Sequence, residues 1–214
     1  MMATLCNSAK TLPAKIIPNG PVVGVDEAGR GPLAGPVVAA ALVLGTDAPA
    51  GLDDSKKLSP KRRAALEGPI KSTCLWAIGM ADVEEIDRLN IFGATMLAMS
   101  RAVAALCAAY HLEPAEVLVD GKQTPAGRCD LWRWPARAIV GGDGLEPCIS
   151  AASILAKEHR DRVMREAAMA HPHYGWERNM GYGTVEHLAA LRIHGPSPHH
   201  RHSFAPVAQA SLFG

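Results

Sequence analysis

Val22-Val23-Gly24-Val25-Asp26-Glu27-Ala28-Gly29-Arg30-Gly31-Pro32-Leu33-Ala34-Gly35-Pro36 is the stretch on which the reading of this chain turns. Val22 to Val25 is short, β-branched and apolar, which marks a buried strand. Its end delivers two adjacent carboxylates, Asp26 and Glu27. A Gly/Pro-rich turn follows, and the apolar run Val37 to Leu44 behind it is expected to be a second strand paired with the first.

Outward from there, Ser59-Pro60 combines a capping side chain with a proline at the first helical position, so a helix is expected from Pro60 to about Lys71. Cys74 to Ala81 reads as a third strand. From Val83 onward the pattern turns helical, and Ile91 to Tyr110, rich in Ala, Met and Leu, is expected to be a long helix covering the sheet. Val117-Leu118-Val119 is a strand that again delivers an acid, Asp120. Residues 123–135 read as a connecting loop, and Arg137 to Val140 as a strand leading into Gly141-Gly142-Asp143. Ile149 to Ala170 carries helical spacing and is stopped by His171-Pro172; Thr184 to His194 has a cap at its start and Gly195-Pro196 at its end. Strands followed by alternating helices and strands imply an α/β domain with a small helical C-terminal extension. The expected divisions are a loosely ordered lead-in over 1–20, a catalytic domain over 21–170 and a C-terminal helical segment and tail over 171–214.

Three strand ends thus deliver four carboxylates: Asp26, Glu27, Asp120 and Asp143. One acid after a strand is usually a turn residue. Four gathered together would repel one another unless a cation neutralised them, and oxygen-only clusters suit the hard ions Mg²⁺ and Mn²⁺. Such ions can activate a water and stabilise a leaving oxygen in phosphodiester hydrolysis.

Composition bounds the rest. The chain has 214 residues, 48% of them apolar, enough for one domain with a small appendage. Its uninterrupted apolar runs are far shorter than the roughly 18 to 20 residues that cross a bilayer, and Lys10 and Lys15 interrupt any leader-like segment. No membrane partner is expected, and a cytoplasmic location is. Five widely spaced cysteines with no C-x-x-C argue against a disulfide framework and a cysteine zinc site. The 22 basic residues barely outnumber the 21 acidic ones, a net charge of +1 that cannot hold nucleic acid by charge alone. A polyanion must be held locally, by a segregated basic patch or through metal ions.

The text around the four acids resembles the ribonuclease HII family. The opening stretch from Asp26 to Pro36 carries the family signature. Asp54-Ser55-Lys56-Lys57-Leu58-Ser59, Asn90-Ile91-Phe92-Gly93-Ala94-Thr95-Met96 and Val119-Asp120-Gly121 follow. Then come Gly142-Asp143, Ile149-Ser150-Ala151-Ala152-Ser153-Ile154-Leu155-Ala156-Lys157, Arg160-Asp161-Arg162, Gly181-Tyr182-Gly183-Thr184 and Arg201-His202-Ser203-Phe204. The resemblance runs in order from about residue 22 to 207.

It implies a ribonuclease H-like mixed sheet flanked by helices. It implies an endoribonuclease that cleaves the RNA strand of RNA/DNA hybrids and nicks duplex DNA 5′ to embedded ribonucleotides, leaving 3′-hydroxyl and 5′-phosphate ends. The family's four metal-binding acids fall on Asp26, Glu27, Asp120 and Asp143, the set already marked by the strand ends, with Mn²⁺ or Mg²⁺ as cofactor. Gly29-Arg30-Gly31 matches the loop that reads the ribose 2′-hydroxyl, which suits glycine's freedom and the group that distinguishes RNA from DNA. As a dinucleotide fingerprint its spacing fails. Tyr182 matches a tyrosine packed on the sugar after the ribonucleotide, and Lys56 a phosphate-contacting lysine. A monomer is expected.

Two rivals stand beside this reading: a non-catalytic nucleic-acid-binding protein of the same fold, which gains nothing from keeping four acids, and ribonuclease HIII, whose extra N-terminal domain the stretch before Val22 is too short to encode. The histidines crowd the C-terminal quarter. A zinc site at His199-His200-Arg201-His202 lacks the usual ligand spacing. With Arg178, Arg192 and Arg201 they are expected instead to form a polar, phosphate-facing surface, aided by mild acid. Met180 stands where the family usually has a lysine, Glu158 where it has an apolar residue, and Glu146-Pro147 in a stretch often more basic. These departures bear on substrate affinity rather than chemistry. The tail Gln209-Ala210-Ser211-Leu212-Phe213 offers a Leu-Phe anchor of the kind a sliding clamp would bind.

Overall fold

A computed structural model describes residues 20–211. Five strands form one mixed sheet: β1 (Val22–Ala28), β2 (Val37–Val43), β3 (Leu75–Ala81), β4 (Glu116–Asp120) and β5 (Ala136–Ile139), in the spatial order β3-β2-β1-β4-β5. β1 to β3 form an antiparallel meander, while β4 and β5 run parallel to β1. The apolar runs are continuous because both faces are covered.

On one face, Val23, Val25, Ala39, Ala41, Val117 and Val119 pack beneath α2 (Val83–Tyr110). On the other, Val38, Ala40, Leu42 and Leu118 pack against α1 (Pro60–Thr73) and α3 (Pro147–Ala170). Gly24 lets α3 approach: a Cβ there would collide with the backbone of Cys148 at the start of that helix.

α2 starts at Val83, where the pattern turns helical. Asp82 and Glu85 form a reciprocal capping box, and the helix then breaks at Asn90, whose φ of 58° and ψ of 170° lie outside the helical region. The Asn90 side chain accepts the amides of Phe92 and Gly93, so it caps a second helical stretch whose start matches the expected Ile91. By length and hydropathy α2 could span a bilayer, with a mean hydropathy of 1.7 over its most apolar window, but its apolar side packs on the sheet as the core helix.

The C-terminal part comprises a short α4 (Trp176–Asn179), α5 (Val185–His194) and α6 (Ala205–Ser211). Tyr174 and Trp176 are buried in it against Met164 and Ala168 of α3 and Ala34 of the turn after β1. An isolated bridge pairs Ala34 with His200. This segment is therefore built onto the β1–β2 turn.

One expectation is corrected here. The C-terminal histidines and arginines do not all line a phosphate-facing surface: His187, His200 and Arg201 are buried and Arg178 is held by Glu177 and Glu186, while Arg192, His194 and His202 are exposed. Burial pushes His187, His199 and His200 below the usual imidazole range, so these three do not take up charge in mild acid as expected.

Candidate active site

β1 and β4 are parallel neighbours in the register Gly24↔Leu118 and Val25↔Val119. Side chains alternate along a strand, so Asp26 and Asp120, each two residues on from Gly24 and Leu118, emerge side by side on the α3 face. Asp143 joins them from a 3-10 turn, Gly142–Gly144, which follows β5. Its amide donates to Asp120 Oδ1 at 3.3 Å, and Ser150 Oγ on α3 donates to its carbonyl at 2.6 Å. One oxygen from each of Asp26, Asp120 and Asp143 lies within 4.8 Å of the others. Three of the four expected acids meet at one point.

Glu27 follows on the same strand, and its Oε1 lies 3.4 Å from the Arg30 guanidinium. Its amide donates to Asp26 Oδ1 at 2.7 Å.

The electrostatics of this cluster are those of a site short of positive charge. Burial first, then Glu27 and Asp120, hold the Asp26 carboxyl well above its ordinary range. Burial and then Asp120 raise Asp143; burial also raises Glu27 against the pull of Arg30. Lys56 answers them: its ammonium is 3.9 Å from Asp143 Oδ2. Partial burial works against its charge, but Asp26, Asp143, Asp54 and Asp120 outweigh that and raise its pKa.

A compact set of carboxylate oxygens, without sulfur or imidazole, fits a hard divalent ion. Asp26, Asp120 and Asp143 are the residues that would hold it, with Glu27 adjacent.

The loop carrying Lys56 is held from below. Arg63 of α1 donates to the carbonyls of Ser55 and Leu58 at 3.1 and 2.9 Å, and to Glu158 of α3 at 3.0 Å. Glu158, a departure from the family pattern, is thus the buried partner of Arg63, and Asp161 stands 3.7 Å from the same guanidinium.

The expected substrate-reading residues also converge. Tyr182 is 47% exposed, and its ring edge would lie 3.5 Å from a Cβ placed on Gly31. Leu33 donates its amide to Gly181 at 2.8 Å, tying the Gly29–Gly31 loop to the Tyr182 segment. Met180, in place of the usual lysine, takes a left-handed backbone with φ of 50°, caps α4 and presents its carbonyl to Arg160 at 2.9 Å.

The sequence reading gave Asp54, Ser153 and Arg160 no role of their own, and it put Arg201 on a phosphate-facing surface. Asp54 adds to the negative field at Asp143, and Ser153 to the hydrogen bonding of Asp26. Asp54 was within sight, two residues from Lys56 in the same motif.

Comparison with known proteins agrees with this geometry. The sequence model of the family described as Ribonuclease HII matches residues 23–207. The ribonuclease HII of Novosphingobium aromaticivorans is 72% identical over 192 residues, spanning 89% of this chain and 98% of that protein. That of Erythrobacter litoralis is 67% identical over 194 residues, spanning 91% and 92%.

Among solved structures, the ribonuclease H2 of Pyrococcus horikoshii is 23% identical with a TM-score of 0.68, covering 89% of this chain and 97% of that one. The ribonuclease HII of Archaeoglobus fulgidus, solved in a complex with PCNA, is 24% identical with a TM-score of 0.64, covering 80% and 85%. Bst-RNase HIII in complex with Mn²⁺ is 19% identical with a TM-score of 0.72, covering 91% and 70%. The distant structures share the fold, a ribonuclease H-like mixed sheet flanked by helices. The family match, the close relatives and the three acids at the strand ends agree on one conclusion: the chain belongs to the ribonuclease HII family of metal-dependent endoribonucleases.

Proposed function

We propose that this enzyme cleaves the RNA strand of RNA/DNA hybrids and nicks duplex DNA on the 5′ side of embedded ribonucleotides, leaving 3′-hydroxyl and 5′-phosphate ends. The observation that carries this reading is the convergence of Asp26, Asp120 and Asp143 within 4.8 Å beside the Gly29–Gly31 loop. Asp26, Glu27, Asp120 and Asp143 hold Mn²⁺ or Mg²⁺. When bound, such ions activate a water and stabilise the departing 3′-oxygen.

The protein's own residues do the rest. The two strands fix Asp26 and Asp120 at the spacing of neighbouring strands, and the turn after β5 adds Asp143. Lys56, whose side chain is 79% exposed and points toward Asp143, holds a phosphate next to the scissile one. The Gly29–Gly31 backbone reads the 2′-hydroxyl, and the Tyr182 ring packs on the following sugar. No side-chain nucleophile is required.

The test is a matched pair of duplexes, one with a single ribonucleotide and one with none. The wild-type enzyme cuts only the first. Asp120→Asn loses nearly all cleavage while still binding; turnover at the wild-type rate, or activity surviving saturating EDTA, overturns the reading.

A sliding clamp is proposed as a partner through Leu212-Phe213, which lie outside the described residues. Support comes from the Archaeoglobus protein, solved with PCNA. Equal clamp recovery by the wild type and by Leu212→Ala with Phe213→Ala retires this idea. A cytoplasmic location is likewise proposed, supported by free thiols at Cys74, Cys107, Cys129 and Cys148.

A further inference from the structure

Two guanidiniums lie behind the loop after β1, and neither pairs with a carboxylate among the described residues. Arg201 and Arg160 are 0% and 1% exposed. Arg201 donates through Nε to Gly35 O at 2.9 Å and through one terminal nitrogen to Arg30 O at 3.0 Å and Pro32 O at 2.7 Å. Its other terminal nitrogen reaches Gly29 O at 2.5 Å and Pro36 O at 3.3 Å. Arg160 donates to Pro36 O at 3.1 Å, Ala34 O at 2.9 Å and Met180 O at 2.9 Å.

The nearby acids are engaged elsewhere. Asp161 pairs with Arg63 and Lys157. Asp87 accepts from the amides of His202 and Ser203 and from the Ser203 hydroxyl. Burial pushes Arg160 down to about 10, and burial with repulsion from Arg160 pushes Arg201 down to about 9, so both remain charged at neutral pH.

Burying two like charges together is costly, and apolar residues of similar volume would hold the chain at less cost. What apolar residues cannot do is turn carbonyls inward. In a trans peptide the C=O of one residue and the N–H of the next point in opposite directions, and no cis bond occurs among the described residues. With Gly29 O and Arg30 O drawn onto Arg201, the amides of Arg30 and Gly31 face away from it. Neither amide has a partner among the described residues. The next outward amides, of Leu33 and Gly35, are used to bind Gly181 O and His199 O, each at 2.8 Å.

Gly29 completes the design. Its φ is +98°, and a Cβ there would collide with the Arg160 side chain, so this glycine serves the guanidinium behind the loop.

We propose that Arg201 and Arg160 are positioning residues for ribose selectivity: together they fix the peptide planes that aim the Arg30 and Gly31 amides at the 2′-hydroxyl and, through Met180 O, set the Tyr182 segment at a fixed distance from them. This rests on the reading that the loop and Tyr182 touch the sugar at the ribonucleotide. Lysine keeps the charge but offers three rotating donors from a single nitrogen, so it cannot reproduce the planar fork that serves five carbonyls.

The test compares equilibrium binding of a DNA duplex containing one ribonucleotide with that of the matched all-DNA duplex, in the cleavage-deficient Asp120→Asn background. Arg201→Lys is expected to lower the ratio of the two dissociation constants about tenfold, the scale of one to two lost hydrogen bonds. The all-DNA affinity should change less than about twofold. Arg160→Lys, which keeps all Arg201 contacts, is the second variant and is expected to shift the ratio in the same direction. The ratio does not depend on the fraction of folded protein, so simple loss of stability leaves it unmoved. An unchanged ratio in folded variants, or equal weakening toward both duplexes, overturns the inference. A parent protein with no ribonucleotide preference overturns the loop reading itself, and the inference with it.

Discussion

His187 Nε2 and His200 Nε2 face each other at 3.0 Å inside the C-terminal segment, and their neighbours fix both tautomers. The Ser197 amide donates to His200 Nδ1 at 2.9 Å, so the His200 proton is on Nε2 and points at His187. His187 Nε2 also accepts from the Trp176 indole at 3.1 Å, which leaves His187 Nδ1–H to donate to Tyr182 O at 2.9 Å. The chain of donors works only with both rings neutral. Burial, with repulsion from His187, pushes His200 down to about 3.

An unfolded histidine takes up its proton near pH 6.5, so between that value and about 3 the unfolded state binds more protons and stability falls as pH falls. At pH 5 the loss from this group is ~2 kcal/mol. Thermal melts from pH 7 to 5 should show it, and His200→Gln, which supplies an acceptor and a donor without titrating, should flatten the slope. An unaltered slope in that variant contradicts the neutral pair.

Asp120→Asn should stabilise the metal-free protein while abolishing cleavage. Asp120 raises the carboxyls of both Asp26 and Asp143, and its removal relieves that repulsion. A gain of ~1 kcal/mol would raise Tm by about 2–4 °C for a chain of this size. Melting in EDTA reads the gain, and saturating Mg²⁺ should reverse the order of the two proteins, because only the wild type keeps the full ligand set.

Glu158→Ala removes the 3.0 Å partner of a buried guanidinium and leaves Arg63 with Asp161 at 3.7 Å. A loss of ~3 kcal/mol is expected from denaturant midpoints. Arg63 also holds the Ser55 and Leu58 carbonyls, so KM should rise more than kcat falls, through the loosened Lys56 loop.

Lys56→Ala should weaken binding to ribonucleotide-containing and all-DNA duplexes alike and make the log–log salt dependence shallower by about one unit, as a single phosphate contact requires. An unchanged salt slope would make Lys56 a neutralising charge for the acids alone.

The sheet and the acids were legible because both rest on short-range regularities. The run Val22 to Val25 and the triplet Val117 to Val119 end in acids at equivalent positions, and parallel pairing alone brings Asp26 beside Asp120. The Asn90 break was hidden because helical pattern continues on both sides of it, although an asparagine able to cap two amides stood at the junction. Arg201 and His200 were misread as surface groups for a deeper reason. The carbonyls that solvate Arg201 lie far away in sequence, and an imidazole held by a serine amide and another imidazole looks like any other polar residue in the chain; neither leaves a periodic trace. Glu158 is similar: its partner Arg63 lies 95 positions away, and only the fold shows that they meet.

The bridge between Ala34 and His200 also has a consequence for the order of events during synthesis. β1, β2 and the turn between them are made early, yet the carbonyls of Gly29, Arg30, Pro32 and Gly35 find their donor only when Arg201 arrives. A chain still emerging from the ribosome can pair its strands, but the loop proposed to read the ribose lacks the floor that shapes it. On that proposal, selectivity is among the last properties this enzyme acquires, and a nascent or C-terminally clipped chain would carry the acids without the means to choose where they act.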